Sequence, residues 1–202
     1  IHNPENDAEV RSISTDKQGR IWLGFRNECI RISGPQNAVG YLDKNGRIVK
    51  EKNSCGILAY NILHDSQGRV WIGCKKSGLY LLEPTADSTR YQISHYGHSP
   101  EDPNSLRENQ VYYISEDSRG HIWIGTLGGG LHLWDNGQFI HSGNGLGILS
   151  EEKPQNVRFI SELENGIVGV CAKEGFFTFS ANFTEPSQIH FFQNTRTHAP
   201  HS

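Results

Sequence analysis

The 202-residue sequence has no methionine and no apolar run of the roughly 18 residues that a membrane-spanning helix requires. It has no amphipathic stretch of ten or more residues, which argues against helical repeat architectures. Lys and Arg total 19 against 22 Asp and Glu, so there is no basic excess of the kind that binds nucleic acid or an anionic membrane surface. No charged and then apolar signal segment opens the chain. We therefore expect neither a nucleic-acid partner nor direct membrane contact.

The chain also lacks the residue patterns of metal and catalytic sites. Its four cysteines form no CxxC pair, which argues against zinc, and its ten histidines share no ligand spacing. Nucleophile elbows and phosphate-binding loops are absent. We predict no metal, no cofactor and no catalytic residue. Buried thiols are the favoured interpretation of the cysteines, with a disulfide between two blades left open for an oxidising compartment. The cysteines are Cys29, Cys55, Cys74 and Cys171.

A repeated sequence motif dominates the chain. Short apolar strands with a central tryptophan follow a polar turn that contains glycine, and the tryptophans Trp22, Trp71 and Trp123 lie 49 and 52 residues apart. A degenerate copy places Gly169 at the tryptophan position, 46 residues further on. Repeats of roughly 40 to 50 residues built from short strands are typical of β-propeller blades. The sequence thus predicts an all-β fold of about four four-stranded antiparallel blades.

Residues 1–202 are predicted to form a partial β-propeller. In the first blade, Asp43–Gly46 has the sequence of a hairpin turn. Neither end shows a polar segment that would cover the apolar face of a terminal blade, and the chain begins with Ile1 rather than Met. We therefore expect a fragment of a larger propeller, or a chain that completes itself with a partner such as a second copy. The predicted blades cover approximately 8–51, 58–96, 109–141 and 156–192.

The residues that recur in every blade are expected to serve the blade itself. The tryptophans should pack between blades, and the glycines two residues later should belong to the same structural motif. The aspartates should cap tight turns through their own backbone. A pair of catalytic carboxylates is disfavoured, because glycosidases need a defined separation across a cleft. These structural residues are Trp22, Trp71, Trp123, Gly24, Gly73, Gly125, Asp65 and Asp117.

Ligand contacts are expected on the loops of one rim, where side chains can vary on a rigid scaffold. Basic side chains recur at equivalent loop positions and could hold a carboxylate or sulfate, while a tyrosine could stack on a sugar ring. A solvated rim and ordinary packing remain the alternatives. The candidate ligand-binding residues are Arg26, Asn27, Lys75, Lys76, Lys173, Arg107 and Tyr113.

The segment ISEDSRGHIWIGTLGGGL at residues 114–131 resembles the two-component regulator propeller repeat, and residues 93–114 resemble that family's linker between blades. The resemblance extends over residues 8 to 192. It implies the periplasmic sensor region of a hybrid two-component system of gut anaerobes, in which seven-bladed propellers detect oligosaccharides released from polysaccharides and signal to a histidine kinase. It also implies that the partners are an oligosaccharide and the remaining blades of the parent chain.

Three functions are compatible with the sequence. The first is a non-enzymatic sensor module, with any kinase activity residing outside this segment. The second is a fragment of a propeller-type polysaccharide lyase or glycosidase, which would need a carboxylate pair or a His-Tyr constellation on the channel rim. The third is a propeller used for protein interaction or dimerisation, which would need a broad apolar face. The resemblance favours the sensor.

Overall fold

The computed structural model describes residues 9–34, 39–52, 57–145, 154–181 and 190–193. Within these ranges the chain forms four antiparallel sheets, in each of which the strands follow one another in chain order. We name the sheets blades 1 to 4. The first strand of each blade packs against the first strand of the next, so these strands form the inner wall of an arc of blades. The predicted fold class, an all-β propeller architecture, is confirmed.

Blades 1 and 2 contain nine strands, of which five belong to blade 1. The strands of blade 1 are β1 (Val10–Thr15), β2 (Ile21–Phe25), β3 (Arg31–Ser33), β4 (Val39–Leu42) and β5 (Ile48–Val49). The strands of blade 2 are β6 (Ala59–His64), β7 (Val70–Cys74), β8 (Leu79–Pro84) and β9 (Tyr91–Tyr96).

Blades 3 and 4 contain four strands each. The strands of blade 3 are β10 (Val111–Glu116), β11 (Ile122–Thr126), β12 (Gly130–Asp135) and β13 (Gln138–His141). The strands of blade 4 are β14 (Val157–Glu162), β15 (Ile167–Ala172), β16 (Gly175–Ser180) and β17 (His190–Gln193), with a short 3-10 turn at Glu164–Gly166.

Blade 1 departs from the predicted four strands because β5 adds a fifth at its outer edge. This strand follows the hairpin turn that begins at Asp43, whose backbone nitrogen bonds to the Arg47 carbonyl. The hairpin reaches blade 2: the backbone N–H of Ile48 donates to the Thr89 carbonyl at 2.8 Å, and that of Tyr91 donates to the Gly46 carbonyl at 2.7 Å. The extra strand therefore links the outer edges of two neighbouring blades.

The turn between the first and second strands has the same construction in blades 1 to 3. In blade 2, Asp65 Oδ1 accepts the backbone N–H groups of Gln67 and Arg69 at 3.0 and 2.8 Å. Gly68 occupies the left-handed region at φ 85°, which glycine adopts without the cost that a Cβ would bring. Asp16 and Asp117 accept the corresponding pairs of N–H groups in their own turns.

The blades approach each other most closely at a glycine in the second strand. A Cβ added to Gly24 or to Gly73 would lie within 3.0 Å of the next blade's first strand, against Ala59 and Val111 respectively. Real Cβ atoms do not tolerate such contacts, so the glycine sets the spacing between blades. Gly125 meets blade 4 in the same way.

The core lies between blades rather than within one sheet. Trp22, Trp71 and Trp123 are at most 1% exposed. Each ring packs edge-on against an aromatic ring of the following blade, at centroid distances of 5.6, 5.5 and 5.3 Å respectively. Burial of such large aromatic surfaces provides the main apolar stabilisation of each junction.

The two terminal blades leave apolar side chains uncovered. Ile13 of β1 is 67% exposed, whereas its equivalents Ile62, Ile114 and Ile160 are at most 4% exposed between blades. In blade 4, Cys171 takes the register position that Gly125 has in blade 3, and it is exposed. The expectation of buried thiols is therefore wrong for Cys171, because no described residue packs over this face. Cys74 is buried and Cys29 half-buried, while Cys55 lies outside the described residues.

Candidate functional site

A cleft of about 330 Å³ opens at the rim between blades 1 and 2. The first strand of each blade runs away from this rim and the second strand returns to it, so the loops that follow β2 and β7 meet there with the start of β6. The cleft is lined by Arg11, Arg26, Asn27, Leu58, Ala59, Tyr60, Cys74, Lys75, Lys76 and Ser77.

The cleft is strongly cationic. Glu9 bridges the two arginines, with its carboxylate 2.8 Å from Arg11 Nη2 and 3.2 Å from Arg26 Nη1. Lys75 and Lys76 are exposed, and among the described residues neither pairs with a carboxylate. Four cationic side chains thus face one acidic side chain, which favours an anionic ligand.

A row of four side chains crosses the inner wall beside this cleft. It consists of Arg11, Tyr60, Tyr112 and Arg158, one from the first strand of each blade. The Arg11 guanidinium lies 5.4 Å from the centroid of the Tyr60 ring, and the Arg158 guanidinium lies 4.8 Å from that of Tyr112. The two tyrosine rings lie 4.4 Å apart at their centroids. We call these four residues the inner row.

The inner row exists because every first strand carries a β-bulge at the same place. The pairing of β1 with β2 skips from Val10 to Ser12, and β6, β10 and β14 each skip the corresponding residue. A bulged residue is left out of the ladder and its side chain is re-aimed. Neighbouring first strands therefore place four equivalent side chains next to one another.

Burial raises the pKa of Tyr60 above its usual 10.0, and the hydrogen bond and charge interaction with Tyr112 raise it further. The hydroxyl consequently stays protonated at neutral pH and can act as a hydrogen-bond donor. The inner row itself has two guanidinium groups at its ends and two phenols between them, and Glu9 pairs with the Arg11 end.

The structure groups four of the candidate ligand-binding residues and separates the other three. Arg26, Asn27, Lys75 and Lys76 surround the cleft. Lys173 is exposed on the corresponding loop of blade 4, where its backbone N–H donates to the Asn156 carbonyl at 3.0 Å.

Arg107 and Tyr113 have structural partners. Arg107 donates from Nη1 to Ser142 Oγ at 3.0 Å, and its backbone N–H donates to Nε2 of the buried His132 at 3.1 Å. Tyr113 is half-buried against Phe159, with 4.7 Å between ring centroids. Both residues take part in the packing of blade 3 and its neighbours.

Sequence reasoning overlooked the inner row. Its members lie two residues before the isoleucine that recurs in each first strand, as Tyr60 does before Ile62 and Tyr112 before Ile114. This constant offset was the available signal, but the residue type changes between Arg and Tyr, so a search for repeated residues passes over it.

The described residues contain no group of three or more His, Cys, Asp or Glu that could hold a metal ion. The described residues that line the cleft include neither a carboxylate nor a histidine, and the neighbouring Glu9 is paired with Arg11 and Arg26. General acid–base chemistry needs such a group within hydrogen-bond reach of the substrate. The guanidinium, ammonium and amide groups of the lining can donate hydrogen bonds to an anionic or polar group.

The profile of the two-component regulator propeller family matches residues 4–27 and 105–128. No curated protein sequence matches the chain. The part of the chain that the structure describes has no helix long and apolar enough to cross a membrane.

The fold is shared with solved extracellular domains from B. thetaiotaomicron. The domain assigned to the hybrid two-component system BT3049 aligns over 96% of this chain with a TM-score of 0.67 and 21% identity. That of BT4673 aligns over 92% with a TM-score of 0.61 and 20% identity. The chain spans only about a quarter of each of these domains, 26% and 25%.

An enzyme has the same fold. Virginiamycin B lyase from Staphylococcus aureus, in a catalytically inactive form with quinupristin, aligns over 98% of this chain and 59% of its own length, with a TM-score of 0.62 and 13% identity. Likeness at these identities shows the architecture, and the profile matches identify the repeat. The chain has a β-propeller fold, and the two-component regulator propeller profile matches it at residues 4–27 and 105–128.

Proposed function

We propose that this chain is a ligand-binding part of the periplasmic sensor region of a hybrid two-component system, that it binds an oligosaccharide, and that a histidine kinase elsewhere in the system receives the signal. The matched repeat and the likeness to extracellular domains of such systems support this assignment. The segment itself is proposed to be non-enzymatic.

The observation that carries the proposal is the cationic cleft between blades 1 and 2. Lys75 and Lys76 lie on one loop, Arg26 and Asn27 lie on the equivalent loop of the preceding blade, and Tyr60 forms part of the wall. Exposed loop side chains on a rigid sheet scaffold are free to specify a ligand. Amide, guanidinium, ammonium and phenol groups together can bind sugar hydroxyls and an acidic substituent.

A lyase function has one point in its favour, the shared fold with virginiamycin B lyase. The lining of the cleft speaks against it, because the described lining residues include no side chain that could act as a general base at neutral pH without a large shift in its pKa. We therefore propose binding without turnover.

The test is the double change Lys75→Ala and Lys76→Ala in the intact protein, with oligosaccharide binding measured by calorimetry. Each charge-assisted hydrogen bond contributes about 1.5 to 3 kcal/mol, so affinity for an acidic ligand should fall at least about tenfold. Stability should barely change, because exposed charges contribute little to it.

Lys44→Ala provides the matched control, since Lys44 is an exposed lysine in the outer hairpin of blade 1. It should leave affinity unchanged. If the double variant binds as tightly as the unmodified protein, the cleft is not the site. If no oligosaccharide binds, or if a bound one is cleaved, the sensor assignment itself is wrong.

A further inference from the structure

We propose that the inner row, Arg11, Tyr60, Tyr112 and Arg158, is a second binding element that recognises an oligosaccharide through its carboxylate or sulfate groups. The inference rests on the proposed function and deepens it, because it names the ligand class and extends the contact from the rim loops to the inner wall. Arg11 and Tyr60 also line the cleft, so the inner row continues that surface across blades 3 and 4.

The fold does not require these four side chains. The bulge removes them from the strand ladder, and neither Tyr60 nor Tyr112 belongs to the buried clusters between the blades. The isoleucine two residues later is the same in all four blades, and it is buried between blades in blades 2, 3 and 4. The bulged residue instead is arginine in blades 1 and 4 and tyrosine in blades 2 and 3, which indicates a role outside the packing of the repeat.

The arrangement keeps guanidinium donors available. A guanidinium that contacts a ring through its carbon keeps N–H groups that can form the paired hydrogen bonds that suit a carboxylate or a sulfate. Arg11 uses one terminal nitrogen on Glu9 at 2.8 Å. Arg158 is exposed and forms no ion pair with a described carboxylate. Its ring contact with Tyr112 fixes its position without occupying those donors.

The chemistry selects an acidic sugar. The two tyrosine rings contact each other at an interplanar angle of 44°, and each has an arginine over it, so flat stacking of a sugar on them is disfavoured. Their hydroxyls and ring edges remain for sugar hydroxyls and C–H groups. Together with Arg26, Lys75 and Lys76, the surface presents five cationic groups and the single carboxylate of Glu9. A ligand with carboxylates or sulfates along a hydroxylated backbone complements this pattern.

The first experiment needs no saccharide. Inorganic sulfate is titrated into the intact protein while the Nε–H signals of the arginines are followed by NMR, assigned by single arginine substitutions. The signals of Arg158 and Arg11 should shift in a saturable manner, whereas that of Arg90, an exposed arginine at the outer edge of blade 2, should not. A signal of Arg158 that does not respond, or that responds no more than Arg90, overturns the proposal.

The second experiment measures affinity by calorimetry for digalacturonate, a sulfated chondroitin disaccharide and neutral digalactose. Arg158→Met and Arg11→Met should each weaken binding of an acidic disaccharide at least about tenfold. Tyr60→Phe and Tyr112→Phe, which keep the ring and remove the hydroxyl, should weaken it by a smaller factor. Arg90→Met is the matched control and should change nothing, and thermal unfolding should be the same for all five variants.

The outcomes separate the inner row from the sensor assignment. If Lys75→Ala with Lys76→Ala abolishes binding but Arg158→Met does not weaken it, the inner row is not a binding element and the sensor proposal stands. If digalactose binds and neither acidic disaccharide does, the inner row is likewise not a binding element and the sensor proposal stands. If none of the three disaccharides binds and sulfate does not shift Arg158, the inner row fails as well. Preferential binding of an acidic disaccharide that depends on Arg158 supports the proposal.

Discussion

Blades 3 and 4 have opposite chemistry at the turn between their first and second strands. In blade 3, Asp117 Oδ2 accepts hydrogen bonds from Trp123 Nε1 at 3.0 Å and from His121 Nδ1 at 2.8 Å. Blades 1 and 2 have the same network with arginine in place of histidine, at 2.6 Å from the aspartate. In blade 4 the three equivalent positions hold Leu163, Ile167 and Gly169. All three members of the polar network are therefore replaced together.

In blade 4, apolar side chains lie beside the position that the indole takes in blade 3. A Cβ on Gly169 would lie 3.2 Å from the side chains of both Leu163 and Phe176. Removing one member of a buried polar network leaves the other polar groups without hydrogen-bond partners and is destabilising. Replacing the whole set by apolar groups of similar shape can leave the free energy of unfolding nearly unchanged. The comparison teaches that the aspartate, the cation and the tryptophan act as one unit.

One link between blades is independent of that unit. Ser66, next to the turn aspartate of blade 2, donates its backbone N–H and its hydroxyl to Glu116 of blade 3, at 2.7 and 2.6 Å. Ser118 bonds to Glu162 of blade 4 in the same way, at 2.6 and 2.7 Å. Blade 4 therefore keeps the polar connection to its predecessor although it has lost its own internal network.

The largest expected effect comes from removing the tryptophan of an intact unit. Trp71→Ala should lower the free energy of unfolding by about 3 to 5 kcal/mol, because it opens a cavity at a fully buried site. Denaturant unfolding of the variant measures the change. An unfolding midpoint equal to that of the unmodified protein would show that Trp71 does not stabilise the junction between blades 2 and 3.

A smaller loss is expected when the aspartate alone is changed to the residue found in blade 4. Asp117→Leu should cost about 3 kcal/mol, since it leaves the Trp123 indole N–H and two backbone N–H groups of the turn without an acceptor. The reverse change, Leu163→Asp, occurs at an exposed residue and should alter stability by less than about 1 kcal/mol. Similar losses for both changes would contradict the idea of a collective unit.

The pH dependence of stability should also distinguish the blades. Complete burial lowers the pKa of His132 from 6.5 to about 3, with the nearby His141 as a second cause. The unfolded chain therefore binds a proton below pH 6.5 that folded His132 does not take up, so stability is full above pH 6.5 and falls with decreasing pH. The loss should reach about 2 to 3 kcal/mol at pH 4.5.

A second pH window follows from the turn aspartates. Burial alone would raise the pKa of Asp117, but the hydrogen bonds from Trp123 and His121 outweigh it and hold the pKa below 3.8. This contribution is present above pH 3.8 and is lost as the pH falls below that value. Amide hydrogen exchange should therefore rise in blade 3 before blade 4, near pH 4.5 because of His132 and further below pH 3.8 because of Asp117, and His132→Gln should remove most of the phase near pH 4.5. Equal acid sensitivity of the two blades would refute the assignment.

The smallest effect is expected at the uncovered face of blade 1. Ile13→Asp should change the free energy of unfolding by less than about 0.5 kcal/mol, because Ile13 is exposed, whereas Ile114→Ala at the equivalent buried site should cost about 2 to 5 kcal/mol. Light scattering should show that Ile13→Asp reduces self-association through exposed apolar surface. If Ile13→Asp instead unfolds the protein, this face is packed in solution.

The architecture was accessible from the sequence because its signal repeats. The tryptophan period and the glycine of the turn specify strand, turn and strand in each blade, and the register places Gly169 opposite Ser161 as Trp123 is opposite Ser115. The strand order within each sheet then follows from short connections, since consecutive antiparallel strands pair with each other.

Only part of the candidate site could be predicted from the sequence. Arg26 and Lys75 could be named because they follow the second strand at equivalent places, and the structure puts both on the cleft. The inner row depends on a bulge that shifts the register by one residue, and alternation patterns in the sequence do not reveal such a shift. The contacts of Arg107 and Tyr113 could not be predicted, because Ser142 and Phe159 are 35 and 46 residues away in the chain, and a ligand-binding role for the two residues stays a prediction.

The bulge in every first strand has a consequence for how such a protein can change over generations. One side chain per blade is left out of the strand pairing and of the buried contacts between blades, which constrain the other residues of the repeat. Mutations at these positions can therefore be tried without loss of the fold. Since equivalent bulges of neighbouring blades are adjacent in space, each new combination of side chains gives the same wall a different binding surface.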